Sequence, residues 1–227
     1  MDGGSVAVLI PCYNEVYTVG SVIRDFAHYI PYARIYVGDN GSTDGSFGKV
    51  KSYMDSYCVE CRRILQKGRG NVLRTLFEEV DADIYLIVDA DGSYHAVDAI
   101  SLVNGIRMGR DLMVGSRLSS DDFSRKFFNA TGNRIVRRFV GKPCDIAGIQ
   151  DVMTGYMALS RHFVKSCHFE SQGFDIAPEI IKVAASVIPD EKIGSACIRY
   201  TIRQQGTVSK FGFADWFRVI ESVIAFQ

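Results

Sequence analysis

Asp83-Ile84-Tyr85-Leu86-Ile87-Val88-Asp89-Ala90-Asp91 decides how the chain reads. Five consecutive apolar residues, rich in β-branched and aromatic side chains, predict a strand buried on both faces. Two carboxylates separated by one residue follow at once. At a strand end such a pair can share a hard divalent cation through oxygen ligands. A cation there can bridge two phosphate oxygens and neutralise a diphosphate leaving group. The triplet alone is a common pattern, and a solvated turn is its bland reading. Its place after the strongest strand in the chain favours the metal reading.

Working outward, short apolar runs alternate with helical patterns. Strands are expected at 6–10, ended by Pro11, and at 34–38, 63–66, 83–88, 111–116 and 154–159. Helices are expected at 15–29, 70–80, 96–108, 123–140, 178–186 and 213–226, with Thr43 or Asp44 capping a further one. This rhythm predicts an α/β fold with a mainly parallel, Rossmann-like sheet flanked by helices. Ligands then bind beyond the carboxyl ends of the strands. Loops 11–15, 39–44, 67–70, 89–95 and 116–117 all follow strands, so five polar loops should gather on one edge.

The bulk numbers agree with one globular domain. At 227 residues the chain can bury roughly 70% of its unfolded surface. Lysine plus arginine equals aspartate plus glutamate, so no global field attracts nucleic acid. Six cysteines include the lone pair Cys58-Val59-Glu60-Cys61, read as reduced thiols in a reducing cytosol. No apolar run reaches the roughly 20 residues of a membrane span, and the opening residues lack the pattern of a signal peptide. Phe213, Trp216 and Phe217 form an aromatic stripe beside Lys210 and Arg218, which suits either an interfacial helix or a packed one.

The remaining loops carry turn chemistry. Asp39-Asn40-Gly41-Ser42-Thr43-Asp44-Gly45 reads as a rich turn or as base and ribose recognition through Asp39 and Asp44. Lys67-Gly68-Arg69-Gly70 precedes a helix N-terminus, which can hold an anion, but matches neither a P-loop nor a dinucleotide fingerprint. His95 reads as structural.

In order and spacing, Pro11-Cys12-Tyr13-Asn14-Glu15, the 39–44 loop, the 67–70 loop, Asp89-Ala90-Asp91 and Gly115-Ser116-Arg117 resemble the family 2 glycosyltransferases of GT-A fold. Asp151-Val152-Met153-Thr154-Gly155-Tyr156 and Arg203-Gln204-Gln205-Gly206-Thr207-Val208-Ser209-Lys210 resemble the polyprenyl- and dolichyl-phosphate mannosyl- and glucosyltransferases among them. The resemblance implies a GT-A catalytic domain over 1–210, and the spacing of apolar residues adds an amphipathic C-terminal helix over 211–227. It implies a nucleotide-diphosphate sugar donor of GDP-mannose or UDP-glucose type, a divalent cation (Mn²⁺ or Mg²⁺) and a polyprenyl phosphate acceptor. It places the chain in the cytoplasm with peripheral contact at the cytosolic membrane face.

Carried over residue by residue, Pro11, Tyr13, Glu15, Asp39, Lys67, Asp89 and Ala90 would bind the nucleotide sugar. Asp89 and Asp91 would hold the metal, and Arg117, Arg203 and Lys210 would bind phosphate. Asp91, Arg117 and Asp151 would be catalytic, Asp151 acting as a base or as an orienting group. Asn40 departs from the second aspartate of many relatives, and Ser93 from the glutamine of some. Transfer to a hydroxyl of a glycan is the alternative; it would require a general base.

Overall fold

The computed structural model describes residues 4–117, 148–149, 151–201, 219 and 221. One seven-stranded sheet organises them: β1 (Val6–Cys12), β2 (Ala33–Asp39), β3 (Val59–Arg63), β4 (Ile84–Ile87), β5 (Leu112–Arg117), β6 (Met157–Ser160) and β7 (Ile193–Ile198). The spatial order is β3-β2-β1-β4-β6-β5-β7. β6 runs antiparallel to both its neighbours, and every other pairing is parallel. The expected mainly parallel α/β sheet is what forms.

Alternation along the strands splits the core into two layers. Ala7, Leu9, Tyr85, Ile87, Val114 and Leu159 face one side. There they meet α3 (Arg69–Glu79), α5 (Arg161–Ser166) and α6 (Ile176–Val187) through Leu73, Leu76, Phe163, Ile180 and Ile181. Val8, Ile10, Val37, Leu86 and Ala158 face the other side. They pack on α1 (Val19–Tyr29), α2 (Ser46–Lys51) and α4 (Ala99–Arg107) through Ile23, Phe26, Val50, Leu102 and Val103. Both faces are covered, so the central strands read as continuous apolar runs.

Several boundaries differ from expectation for local reasons. β1 does not end at Pro11 but continues to Cys12, with Pro11 opposite Gly38. Residues of a parallel strand alternate the neighbour they bond. Leu9 bonds toward β4 and Cys12 toward β2, so the missing N–H of Pro11 faces the β4 side, where pairing has already stopped at Leu9. The first helix begins at Val19 rather than at 15, because residues 14–16 spend their N–H groups on loop side chains. β3 lies at Val59–Arg63, upstream of the expected 63–66; only Ile64 extends its ladder, donating to the Asp39 carbonyl at 2.8 Å. The helix over 96–108 opens with a 3-10 turn, Ala96–Asp98.

The sequence pattern does not predict β7. Its Gly194, Ser195, Ala196 and Cys197 carry little strand signal, and it is an edge strand paired only with β5. The expected helix over 123–140 lies outside the described residues, and so does most of 213–226. Within the latter, Val219 and Glu221 have helical backbone and Val219 is buried in the core. No helix among the described residues is long and apolar enough to cross a membrane.

Candidate active site

The carboxyl ends of all six parallel strands open on one edge of the sheet. Because β6 runs the other way, its N-terminal approach, residues 151–156, comes to that same edge. The five expected loops therefore meet Asp151 and Gly155.

The first two loops form one unit. Asn14 takes a left-handed backbone, φ 52°, which asparagine tolerates better than most residues. Its Oδ1 accepts from Thr43 N at 2.8 Å, and its own N–H donates to Ser42 Oγ at 2.9 Å. Glu15 N donates to Ser46 Oγ at 2.8 Å, and Val16 N to Asp44 Oδ2 at 3.0 Å. Asp44 Oδ1 accepts from Ser46 N, so Asp44 serves as the helix cap expected of it although Gly45 is the residue just outside α2. Burial alone would raise the Asp44 pKa; the hydrogen bonds from Ser46 and Val16 hold it below the ordinary value.

Asp39 is fully buried. Its Oδ2 accepts from Ser42 N at 3.2 Å and lies 3.8 Å from Arg63 Nε. Its Oδ1 has no hydrogen-bond partner among the described residues. An unsatisfied buried acceptor is costly. Glu15 is buried and accepts from Thr18 Oγ1 at 3.2 Å, whereas Tyr13 is exposed and covered by the Lys67 ammonium, 4.2 Å from its ring centroid.

At the N-terminus of α3, Gln172 O accepts from Asn71 N at 3.2 Å. An ideal Cβ on Gly68 or Gly70 would lie 2.1 Å from the carbonyl oxygen of Gln172 or Ser171, so these glycines admit a neighbouring backbone. Buried Glu179 holds that backbone by accepting from Glu170 N and Ser171 N at 2.7 and 3.0 Å. Asn40 donates to the carbonyls of Ile64 and Gln66 at 3.0 and 2.8 Å and accepts from Gly68 N at 2.8 Å. An ionised aspartate could not donate to those carbonyls, which explains an amide at this position. Lys67 Nζ donates to the carbonyls of Asn40 and Gly41 at 2.6 and 3.1 Å.

Beyond β4, Ala90 is buried and Asp91 Oδ1 accepts from Ser93 N at 3.0 Å. Asp89 Oδ1 accepts from Arg69 Nε at 2.9 Å. Arg69 also reaches Gly155 O at 3.4 Å, and an ideal Cβ on Gly155 would lie 2.0 Å from Asp89 Oδ2. Two hard-oxygen carboxylates one residue apart suit a divalent cation completed by phosphate oxygens.

Facing them, Arg117 ends β5. It grips Asp151 with a two-pronged fork, Nε to Oδ2 and Nη2 to Oδ1, the latter at 2.8 Å. Asp151 Oδ1 also accepts from Met153 N at 3.2 Å. Burial by itself would lower the Arg117 pKa; the Asp151 charge and its hydrogen bonds carry it well above the ordinary value. Burial raises the pKa of Tyr94, so it stays a neutral phenol, and its hydroxyl accepts from Gly155 N at 2.7 Å. His95 Nε2 shares a 2.7 Å hydrogen bond with Thr201 Oγ1, a structural use.

The edge thus collects Pro11, Tyr13, Glu15, Asp39, Lys67, Asp89, Ala90, Asp91, Arg117 and Asp151. Arg203 and Lys210 lie outside the described residues. The sequence pattern does not single out Arg69, Tyr94 or Gly155 as site residues. Arg69 and Gly155 stood inside quoted motifs, and that was their only signal.

A family model for glycosyl transferase family 2 matches residues 7–167. The chain belongs to this family. Similar proteins include protein RfbJ of Shigella flexneri, 42% identical over 119 residues, which are 52% of this chain and 89% of that protein. Glycosyltransferase AglJ of Haloferax volcanii is 30% identical over 180 residues, 78% of this chain and 57% of AglJ. The dolichol-phosphate mannosyltransferase of Pyrococcus furiosus is 28% identical over 186 residues, 78% of this chain and 52% of that enzyme. The chain therefore spans little more than half the length of the last two. Among solved structures, glucosyl-3-phosphoglycerate synthase of Mycobacterium tuberculosis, in complex with Mn²⁺, UDP-glucose and phosphoglyceric acid, superposes with a TM-score of 0.77 at 18% identity. The match covers 98% of this chain and 79% of that one, and the shared fold is GT-A.

Proposed function

We propose that this chain is an inverting glycosyltransferase that moves a hexose from a nucleotide-diphosphate sugar to a polyprenyl phosphate. The observation that carries the reading is the Arg117–Asp151 fork, which is linked through Tyr200, Tyr94 and Gly155 to the Asp89–Arg69 pair. A carboxylate pair suited to a cation and an oriented guanidinium then serve the two ends of one displacement. The names of two relatives, a dolichol-phosphate mannosyltransferase and a polyprenol monophosphomannose synthase, support the acceptor.

In this reading the phosphate oxygen of the acceptor forms a bond to the anomeric carbon. The bond from that carbon to the donor diphosphate breaks on the opposite face and inverts the centre. A cation held by Asp89 and Asp91 would neutralise the departing diphosphate; Mn²⁺ in a structural neighbour supports this choice. The unpartnered Oδ1 of Asp39 suits a base N–H, with Pro11, Tyr13, Lys67 and Ala90 beside the nucleotide and Glu15 holding their loop. Arg117 would position the acceptor phosphate, with Arg203 and Lys210, because a guanidinium matches phosphate geometry. Asp151 would orient Arg117 through its two-pronged contact with the guanidinium. A phosphate acceptor is anionic at neutral pH and needs no base. A lipid acceptor brings the chain to a membrane surface.

The test is incubation with Mn²⁺ or Mg²⁺, GDP-mannose or UDP-glucose, and a short polyprenyl phosphate. A lipid-linked sugar is expected, falling at least about 100-fold in D91A, the scale of losing one fixed electrostatic contact to a leaving oxyanion. Full turnover by D91A would refute the metal assignment. Product with hydroxyl acceptors alone would establish the second reading, transfer to a glycan hydroxyl.

A further inference from the structure

Tyr200, two residues past β7, lies between the two halves of the site. Its backbone forms an antiparallel bridge with Tyr94, and Thr201 N donates to Ser93 O at 2.9 Å. Its ring centroid is 5.4 Å from that of Tyr94 at an interplanar angle of 65°. The Arg117 guanidinium carbon is 5.1 Å from the same ring centroid. Tyr94 in turn bonds Gly155, whose Cα abuts Asp89. One chain of contacts therefore runs from Asp89 to Arg117, and Tyr200 is its link to the cation.

A guanidinium has five N–H bonds, and Asp151 engages only Nε and Nη2. An aromatic face against the guanidinium attracts the cation, excludes water from one side and limits how the plane can tilt. The N–H bonds not used by Asp151 are then held in a fixed direction. We propose that Tyr200 is a positioning residue for an anionic acceptor group: it fixes the plane of Arg117 so that the remaining N–H bonds meet a phosphate oxygen. This rests on the acceptor half of the proposed function.

The probe is inorganic phosphate, titrated calorimetrically into the full chain loaded with Mn²⁺ and whichever of UDP or GDP the wild type binds. Phosphate binding by the wild type and its loss in R117A are expected. Y200L and Y200Q should bind phosphate about tenfold more weakly, the upper range of one cation–π contact. Their nucleotide affinity should be unchanged, and Y200F, which keeps the ring, should recover most of the phosphate affinity.

The proposal is overturned if the wild type binds no phosphate or if R117A binds it undiminished. It is overturned equally if Y200L and Y200Q match the wild type, or weaken phosphate and nucleotide alike. Loss of the folded state in both variants would assign Tyr200 to structure and overturn it too. Expected phosphate binding without transfer to polyprenyl phosphate would leave the subsite standing and remove the lipid reading.

Discussion

At Gly155 a hydrogen atom stands where any other residue would place a carbon 2.0 Å from Asp89 Oδ2. G155A must therefore push the Asp89 carboxylate away from Arg69 and out of register with Asp91. Overpacking of this kind costs about 1–3 kcal/mol. A displacement of about 1 Å at a reacting centre costs about 100-fold in rate. Transferase activity should fall by that order, with a lowered melting temperature. The control is G48A in α2, where a Cβ meets nothing within 4 Å and alanine should stabilise by about 0.4–1 kcal/mol. Wild-type activity in G155A would show that Asp89 need not hold its observed position. Asp89 and Asp91 were legible because two carboxylates directly follow the strongest apolar strand, whereas Arg117 and Asp151 were legible only through motifs that resemble those of the family. Gly155 and Arg69 were not, because their meaning lies in a contact between segments 86 residues apart.

Among elements, the β1–α1 and β2–α2 loops show how turn residues become a platform. Asp44 joins them, accepting from Val16 N with one oxygen and from Ser46 N with the other. D44A removes a helix cap and a cross-loop bond, a loss of about 1 kcal/mol. The folded-state pKa of Asp44 lies below its ordinary value. Its contribution is therefore complete above the ordinary carboxylate pKa, about 3.9, and is lost as pH falls through the lower folded value. Denaturant melts at pH 7 and pH 3 should show the wild type more stable than D44A at pH 7 and the gap narrowing at pH 3. A gap that widens on acidification would contradict the capping role. The turn chemistry of this loop was readable from its composition. Its partner was not: helix periodicity over 15–29 hid the fact that residues 14–16 bond sideways into the second loop.

For the whole molecule, the reversed direction of β6 decides both the site and the stability. A run of parallel strands was legible from alternating apolar and helical segments. A strand inserted backwards between β4 and β5 carries no local signature, since Met157-Ala158-Leu159 reads the same in either direction. Yet only this insertion brings Asp151 and Gly155 to the edge where Arg117 and Asp89 end. It also joins the sheet: β4 pairs with β1 and β6, and β5 pairs only with β6 and β7. A fragment ending at Arg117 would leave β5 with no neighbour and expose the flank of β4. It would lose Tyr156, Met157 and Leu159, each at most 1% exposed. At roughly 1.5–3 kcal/mol per large apolar side chain, these three alone are worth about 4–9 kcal/mol. That matches the whole stability of an ordinary domain, about 5–15 kcal/mol. Residues 1–117 should thus fail to give a cooperative thermal transition by circular dichroism, although they carry all five polar loops. A sharp two-state melt of that fragment would mean that the β3-β2-β1-β4 half is a domain by itself, and that β6 completes the site without holding up the fold.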